Sequence, residues 1–320
     1  MSTKPDVVII GAAITDLPLR PVSKIIFDVP SYAIDSMNMS IGGDAINEAT
    51  VITRLGKNVR LIGAIGNDVA GGIIKKHCID NGIDTSCIRT RDDFITSTNV
   101  ILIQEDGERT VVNNRSGSLW TFSIDDINLD DIKDAKILSF ASIFNNARLD
   151  NSAMVKIFKK AKEEGMIICA DMVASRQKET IDDIAEAMSY VDYFFPNYEE
   201  ASNLSGKTDL DEIADTFINL GVKTVIIKIG KKGAFIKNKD GSQIVPAYLH
   251  SNCIDTTGAG DNFAAGFITA LLEGKNLKEC GQFANVVASI SVESIGATEG
   301  VKNRTMVDER LEKYKEDFKE

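Results

Sequence analysis

Short apolar runs rich in β-branched residues recur along the chain at 7–10 (VVII), 59–65 (VRLIGAI), 136–141 (KILSFA), 166–171 (MIICAD), 191–195 (VDYFF) and 224–229 (TVIIKI). Each has the length of a strand. Between several of them lie amphipathic stretches of helical period, at 151–165, 180–190 and 209–221, the last opening on the capping-box spacing of Asp209 and Glu212. Alternation of strand and helix predicts an α/β fold whose central sheet is largely parallel and covered on both faces. Two regions break the rhythm. Residues 14–40 combine prolines with alternating side chains, and residues 94–118 alternate with period two around the turn signal Glu105-Asp106-Gly107. Both read as antiparallel strands of a small separate sheet inserted into the α/β body, in a position that suits a lid. With no low-complexity linker and no internal repeat, residues 1–320 read as a single domain.

Charge and composition narrow the function. A formal net charge of −11 disfavours nonspecific binding to nucleic acid or to an anionic membrane, so an anionic ligand has to be held by local groups. No apolar run approaches the roughly eighteen residues of a membrane span, and the start MSTKPDVVIIGAA lacks a basic region followed by a signal-like core; the expectation is a cytoplasmic protein. Cys78, Cys87, Cys169, Cys253 and Cys280 are scattered without a C-x-x-C pair and read as reduced thiols. With only His77 and His250, proton chemistry falls to a carboxylate.

One stretch concentrates the chemistry. In DTTGAGDNFAAGF, Gly258, Ala259 and Gly260 lead into a predicted helix, whose first N–H groups have no intrahelical partner. Together with the positive end of the helix dipole they make an anion hole, and glycine lets a phosphate come close to the backbone. Asp261 in the first turn would then be placed to accept a hydroxyl proton during phosphoryl transfer. Taken alone, the loop fits equally a glycine-rich turn with an Asp stabilising a helix N-terminus.

The same stretch closely resembles the C-terminal signature of ribokinase-like carbohydrate kinases of the phosphofructokinase B type. A second match lies far upstream: GGDAINEATVITRLGKNVRLIGAIGNDVAG, residues 42–71, resembles that family's N-terminal signature. The resemblance spans nearly the whole chain and implies a three-layer α/β/α fold, with the inserted strands forming the lid. It implies that Asp261 is the catalytic base and that Gly258, Ala259 and Gly260 stabilise the transferring phosphoryl group. Asn197 and Glu200 match the family's N-x-x-E element, implied to organise Mg²⁺ and phosphate largely through water; a helix start is the plain alternative. Lys228, Gly230 and Gly233 fall where the nucleotide lies, and Asn285 resembles a residue near adenine, although an Asn inside a helix has structural uses too.

Asp255 matches a residue used beside a monovalent cation, implying K⁺ held with the carbonyls of Thr257, Ser291, Ser294 and Gly296; a turn residue fits it equally. At the sugar end the resemblance assigns Asp16, Gly42, Gly43 and Asn47. The chain departs from ribokinases proper, which carry G-G-K-G-A-N where this sequence has GGDAIN. Asp44 resembles the residue of some 2-keto-3-deoxygluconate kinases and related hexose kinases, and Arg115 would then meet a carboxylate or other anionic group in a bidentate way, with a solvent-facing Arg as the alternative. In DMVASR, Arg176 is displaced by one position from the family's D-x-N-x-R and is not assigned to the site. The implied activity is transfer of the γ-phosphoryl group of ATP, with Mg²⁺, to a hydroxyl of a sugar or sugar acid. The alternatives are a nucleoside kinase with Phe94, Trp120 and Phe122 around a base, and a non-catalytic sugar-binding regulator. Unpaired lid edges suggest a homodimer formed through the lid.

Overall fold

A computed structural model describes residues 4–317, so the expected domain limits at 1–3 and 318–320 lie outside the described residues. The strands, in chain order, are β1 (Val7–Gly11), β2 (Ile14–Arg20), β3 (Ser36–Met37), β4 (Ser40–Gly42), β5 (Val59–Gly66), β6 (Ile88–Arg91), β7 (Thr98–Ile103), β8 (Arg109–Asn113), β9 (Ile137–Ile143), β10 (Ile167–Met172), β11 (Tyr193–Phe194), β12 (Thr224–Lys228), β13 (Ala234–Asn238) and β14 (Gly241–Val245). The α-helices are α1 (Asp44–Arg54), α2 (Val69–Asp80), α3 (Ser118–Thr121), α4 (Asn151–Glu163), α5 (Ala185–Met188), α6 (Tyr198–Ser205), α7 (Leu210–Asn219), α8 (Ala259–Leu272), α9 (Leu277–Ser291) and α10 (Arg304–Asp317).

The main sheet has nine strands in the order β14-β13-β12-β11-β10-β9-β1-β5-β6. It is parallel from β6 to β12; β13 alone runs the other way, pairing antiparallel with β12 and with β14. β1 shows why its residues are apolar without a break. Val7 and Ile9 pack into a cluster with Ala45, Ile46, Phe267 and Phe283. Val8 and Ile10 face the other way, into Met154, Ile157, Phe158 and Phe217. A strand covered on both faces has no polar side to show. Each large side chain removed from water here contributes about 1.5–3 kcal/mol.

Caps fix the helix starts. Asp68, Asp150 and Asp209 each accept hydrogen bonds from backbone N–H groups of the following turn. The predicted helix at 180–190 is shorter than its periodicity suggests: a 3₁₀ turn at Asp182–Ile184 leads into α5, and the Ala187 N–H donates to Asn151 Oδ1 at 3.0 Å, tying the segment to α4.

The inserted strands form a second sheet in the order β3-β2-β7-β8, with β4 also pairing with β2. The β2–β3, β2–β4 and β7–β8 pairs are antiparallel, as predicted, while β2 and β7 run parallel, Asp16 lying opposite Asn99. The parallel pair is available because β2 and β7 are joined by the long crossover through α1, β5, α2 and β6. Since β4 ends at Gly42 and α1 begins at Asp44, the lid feeds directly into the loop predicted to hold the sugar.

The orientation of α8 depends on its crossing with α9. A Cβ added at Gly266 would lie 2.9 Å from Ala284 Cα and 3.0 Å from Val287 Cγ2. Gly266→Val is therefore expected to destabilise the protein by about 1–3 kcal/mol through overpacking, seen as a lower melting temperature with helical content retained. An unchanged melting temperature would show that the two helices are not in close contact.

Candidate active site

The carboxyl ends of the parallel strands open into a cleft of about 670 Å³, where open α/β sheets place their ligands. Ser142 stands at the end of β9, Asp171 at the end of β10, Asn197 just beyond β11 and Lys228 at the end of β12; all four line it. Gly258, Ala259, Gly260 and Asp261 form the opposite wall.

The loop that opens α8 is built for close approach. Gly258 is the N-cap, with φ +72°, and no side chain caps the first turn. A Cβ on Gly258 would sit 2.5 Å from Ala297 Cβ, so the position excludes any side chain as well as disfavouring one conformationally. Asn262 clamps the two segments, its Nδ2 donating to the carbonyls of Gly258 at 2.8 Å and Ala297 at 2.7 Å. Asn262 escaped the sequence reading, although it follows Asp261 directly in the quoted motif.

Asp261 is held by one partner. Asn47, in the first turn of α1, donates from Nδ2 to Asp261 Oδ2 at 2.7 Å. The predicted sugar residue thus also positions the predicted base. Asn47 Oδ1 is buried without a hydrogen-bond partner, leaving an acceptor for a hydroxyl. Burial pushes the Asp261 carboxyl well above the ordinary range, repulsion from Asp44 and Asp171 adds to this, and Asn47 and Lys228 oppose it.

Two lysines line the cleft, Lys231 exposed and Lys228 largely buried. The Lys228 Nζ lies 2.6 Å from Asp171 Oδ2, and a Cβ on Gly260 would be 3.1 Å from that same Nζ. The ammonium therefore sits against the first turn of α8. Burial alone would depress its pKa, but Asp171 and Glu200 outweigh burial and raise it, so Lys228 stays charged. Asn197 and Glu200 form a reciprocal capping box at the start of α6: Glu200 N donates to Asn197 Oδ1 at 2.8 Å and Asn197 N to Glu200 Oε2 at 3.0 Å. Both line the cleft as well. Burial, the largest effect, takes the Glu200 carboxyl up to about 7 against the pull of Lys228.

Gly230 and Gly233 bracket the 3₁₀ turn between β12 and β13 and line the cleft. Asn285 lines it too, but its Nδ2 donates to the carbonyls of Val245 and Pro246 at 3.0 and 2.9 Å, a structural use.

At the lid end, Asp16 Oδ1 accepts from Asn99 Nδ2 at 3.0 Å, and its carboxylate lies so close over Gly42 that a Cβ there would collide with it. Asp44 lines the cleft and accepts from Ser142 Oγ at 2.6 Å and Asn145 Nδ2 at 2.9 Å. Arg176, left out of the predicted site, donates to Asn145 Oδ1 at 2.9 Å and so joins this network from behind. Arg115 does not: it is exposed, with its guanidinium 5.9 Å from the Trp120 ring; like Asp16, Gly42, Gly43 and Asn47, it is not among the residues lining the cleft itself.

Asp255 lies in the loop before Gly258. Its Oδ1 accepts from Thr257 N at 3.0 Å and Thr257 Oγ1 at 2.7 Å, its Oδ2 from Gly296 N at 3.0 Å. Burial pushes its pKa upward, yet these bonds prevail and bring it down to about 2. The Ser291 carbonyl accepts from Ser294 N at 3.4 Å and Ser291 Oγ donates to Ala288 O.

A model of the pfkB family carbohydrate kinases matches residues 4–304. The chain belongs to this family. As a carbohydrate kinase of this family it is a phosphotransferase acting on hydroxyl groups. It is 30% identical to a ribokinase of Haemophilus influenzae over 295 residues, covering 89% of this chain and 92% of that one. It is 25% identical to a 2-dehydro-3-deoxygluconokinase of Bacillus subtilis over 281 residues, covering 85% and 87%. Among solved structures, a ribokinase of Thermotoga maritima superposes with a TM-score of 0.83 at 25% identity over 96% of this chain and 99% of that one. The ribokinase fold is therefore this chain's fold.

Asn47 carries a pH prediction. Its hydrogen bond lowers the Asp261 pKa, so Asn47→Leu should raise it and move the acid limb of kcat/KM toward higher pH by about one unit or more, because a base works only when deprotonated. An acid limb that does not move would separate Asn47 from the base.

Proposed function

We propose that the chain transfers the γ-phosphoryl group of ATP to a hydroxyl of a neutral sugar, with Asp261 as general base. The observation that carries this reading is the convergence of Asp261, the first turn of α8 with no side-chain cap, and the Lys228 ammonium in a single cleft. As the acceptor oxygen attacks phosphorus, its proton passes to the Asp261 carboxylate and the bond from the γ-phosphorus to the ADP oxygen breaks. Charge gathering on the transferring group meets the N–H groups of Gly258 and Gly260 and the Lys228 Nζ, while the Ala259 N–H, expected to join them, donates to the Thr256 carbonyl at 3.2 Å.

Magnesium, when bound with the nucleotide, neutralises phosphate charge. Among the described residues no cluster of three His, Cys, Asp or Glu is arranged to hold a metal ion. The cleft-lining Asp171, Asn197 and Glu200 suit an ion held mainly by phosphates and water, as magnesium prefers. Potassium is left out of this reading because Asp255 already carries a set of donors.

The sugar is proposed to lie between Asp16, Gly42, Gly43, Asp44 and Asn47, where acceptors outnumber donors, as hydroxyls require. Two carboxylates at this end favour a neutral sugar over a sugar acid, and Arg115 is engaged elsewhere. A nucleoside acceptor is disfavoured, since Phe94 and Phe122 are buried in the hydrophobic core at 6% and 1% exposure, and Trp120 has its Nε1 on Asn113 Oδ1 and its ring beside Arg115. A regulator without catalysis would have no use for the buried Asp261–Asn47 pair. The site of action proposed is the cytoplasm. Edge strand β8 exposes Val111 and Val112 at 52% and 53%, and a homodimer through the lid would cover them.

Turnover of ATP to ADP is expected with one or more neutral pentoses or hexoses in Mg²⁺ buffer, and little with sugar acids or nucleosides. Asp261→Asn should keep ATP binding and lower kcat by about 10²–10⁴. Near-normal turnover by this variant would remove Asp261 from the chemistry, and a preference for sugar acids would overturn the reading of the Asp16 and Asp44 end.

A further inference from the structure

Arg109 starts β8 on the lid, yet its guanidinium reaches across to the loop that opens α8. Nη2 donates to Asp255 Oδ1 at 2.9 Å and Nη1 to Thr257 Oγ1 at 2.6 Å. With Thr257 N, Thr257 Oγ1 and Gly296 N, this makes four donors on one carboxylate, about as many as it accepts. The Asp255 side chain is only 13% exposed. A monovalent cation at Asp255 would have to sit beside a guanidinium, with Oδ1 taken by three donors and only Oδ2, which accepts from Gly296 N, left to it, so these residues do not fit the ion in this arrangement.

We propose that Arg109 is a positioning residue that supplies from the lid the fixed positive charge beside the anion-hole loop, in the place where the family resemblance implies potassium. This rests on the kinase reading for its effect on turnover. Arg109 pairs with Ile103 in β7, and β7 carries Asn99, the partner of Asp16. Sugar bound at Asp16 and the charge at Asp255 are thereby joined by one lid sheet. When the lid is seated, Arg109 fixes Asp255 and Thr257, and with them the N–H groups that begin at Gly258. A lid that lifts withdraws the charge, so the anion hole is completed only with the acceptor covered.

The test uses the full-length protein, Arg109→Met and Arg109→Lys, in potassium or tetramethylammonium chloride at equal ionic strength. Turnover of the wild type is expected to be the same in both salts. Arg109→Met should lose about 10–100-fold in kcat, the effect of a charge-assisted hydrogen bond, and recover part of it in potassium or with added guanidinium. Arg109→Lys, which keeps the charge but not the fork, should lie between. Melting temperature gives a readout that does not need activity: the wild type should melt alike in both salts, and Arg109→Met should be stabilised by potassium, which binds the vacated Asp255. Wild-type dependence on potassium in turnover or melting overturns the proposal, as does an Arg109→Met protein indifferent to both ions. If no acceptor supports turnover, the kinase reading fails while the melting comparison still decides whether Arg109 or potassium occupies Asp255.

Discussion

The Lys228–Asp171 ion pair, buried at the ends of β12 and β10 on either side of β11, is the constraint on which the cleft depends. Asp44, Glu48, Asp171, Glu200 and Asp261 repel one another there, and Lys228 is the ammonium set among them. Isolated burial of so much negative charge would be costly. The chain answers by raising carboxyl pKa values: Glu48, fully buried with only Ser139 as partner, is pushed well above the usual range by burial, and Asp261 behaves likewise. The cleft lining thus sets the carboxyls of Asp44, Asp171, Glu200 and Asp261 against Lys228 and Lys231, which suits a ligand that arrives with magnesium.

That electrostatic state has a mechanical basis. The parallel strands deliver Ser142, Asp171, Asn197 and Lys228 to one edge because their side chains above and below are committed to two cores. Opposite them, α8 meets that edge at a height set by Gly266 against α9 and by Asn262 across the Gly258 and Ala297 segments. Small residues at these points leave the backbone at the start of α8 open to the cleft.

Most of the fold was legible in the amino-acid pattern. Val7–Gly11 and its parallel neighbours announce themselves as apolar runs because both faces are buried, and α4 and α7 by their period and caps. The short strand β6 and the hairpin β13–β14 were not read, since Ile88–Arg91 and Gly241–Val245 are largely exposed and carry polar residues. In the site, Asp261, Gly258 and Lys228 followed from motif and resemblance. Asn262, Ser142, Asn145 and Arg109 did not: each acts on a residue brought near only by folding, as Arg109 does on Asp255 across 146 positions. Arg115 was expected in the site from its place in the chain, but the fold turns it onto Trp120.

The central claim is that the γ-phosphoryl group lies between Lys228 and the first turn of α8, facing Asp261. The measurement that tests it most directly is a crystal structure with Mg²⁺ and a non-hydrolysable ATP analogue. The account predicts γ-phosphoryl oxygens within hydrogen-bond reach of the Gly258–Gly260 backbone and of Lys228 Nζ, with the Asp261 carboxylate on the side away from the β-phosphate. A γ-phosphoryl group bound elsewhere in the cleft, with that turn facing solvent, would contradict it.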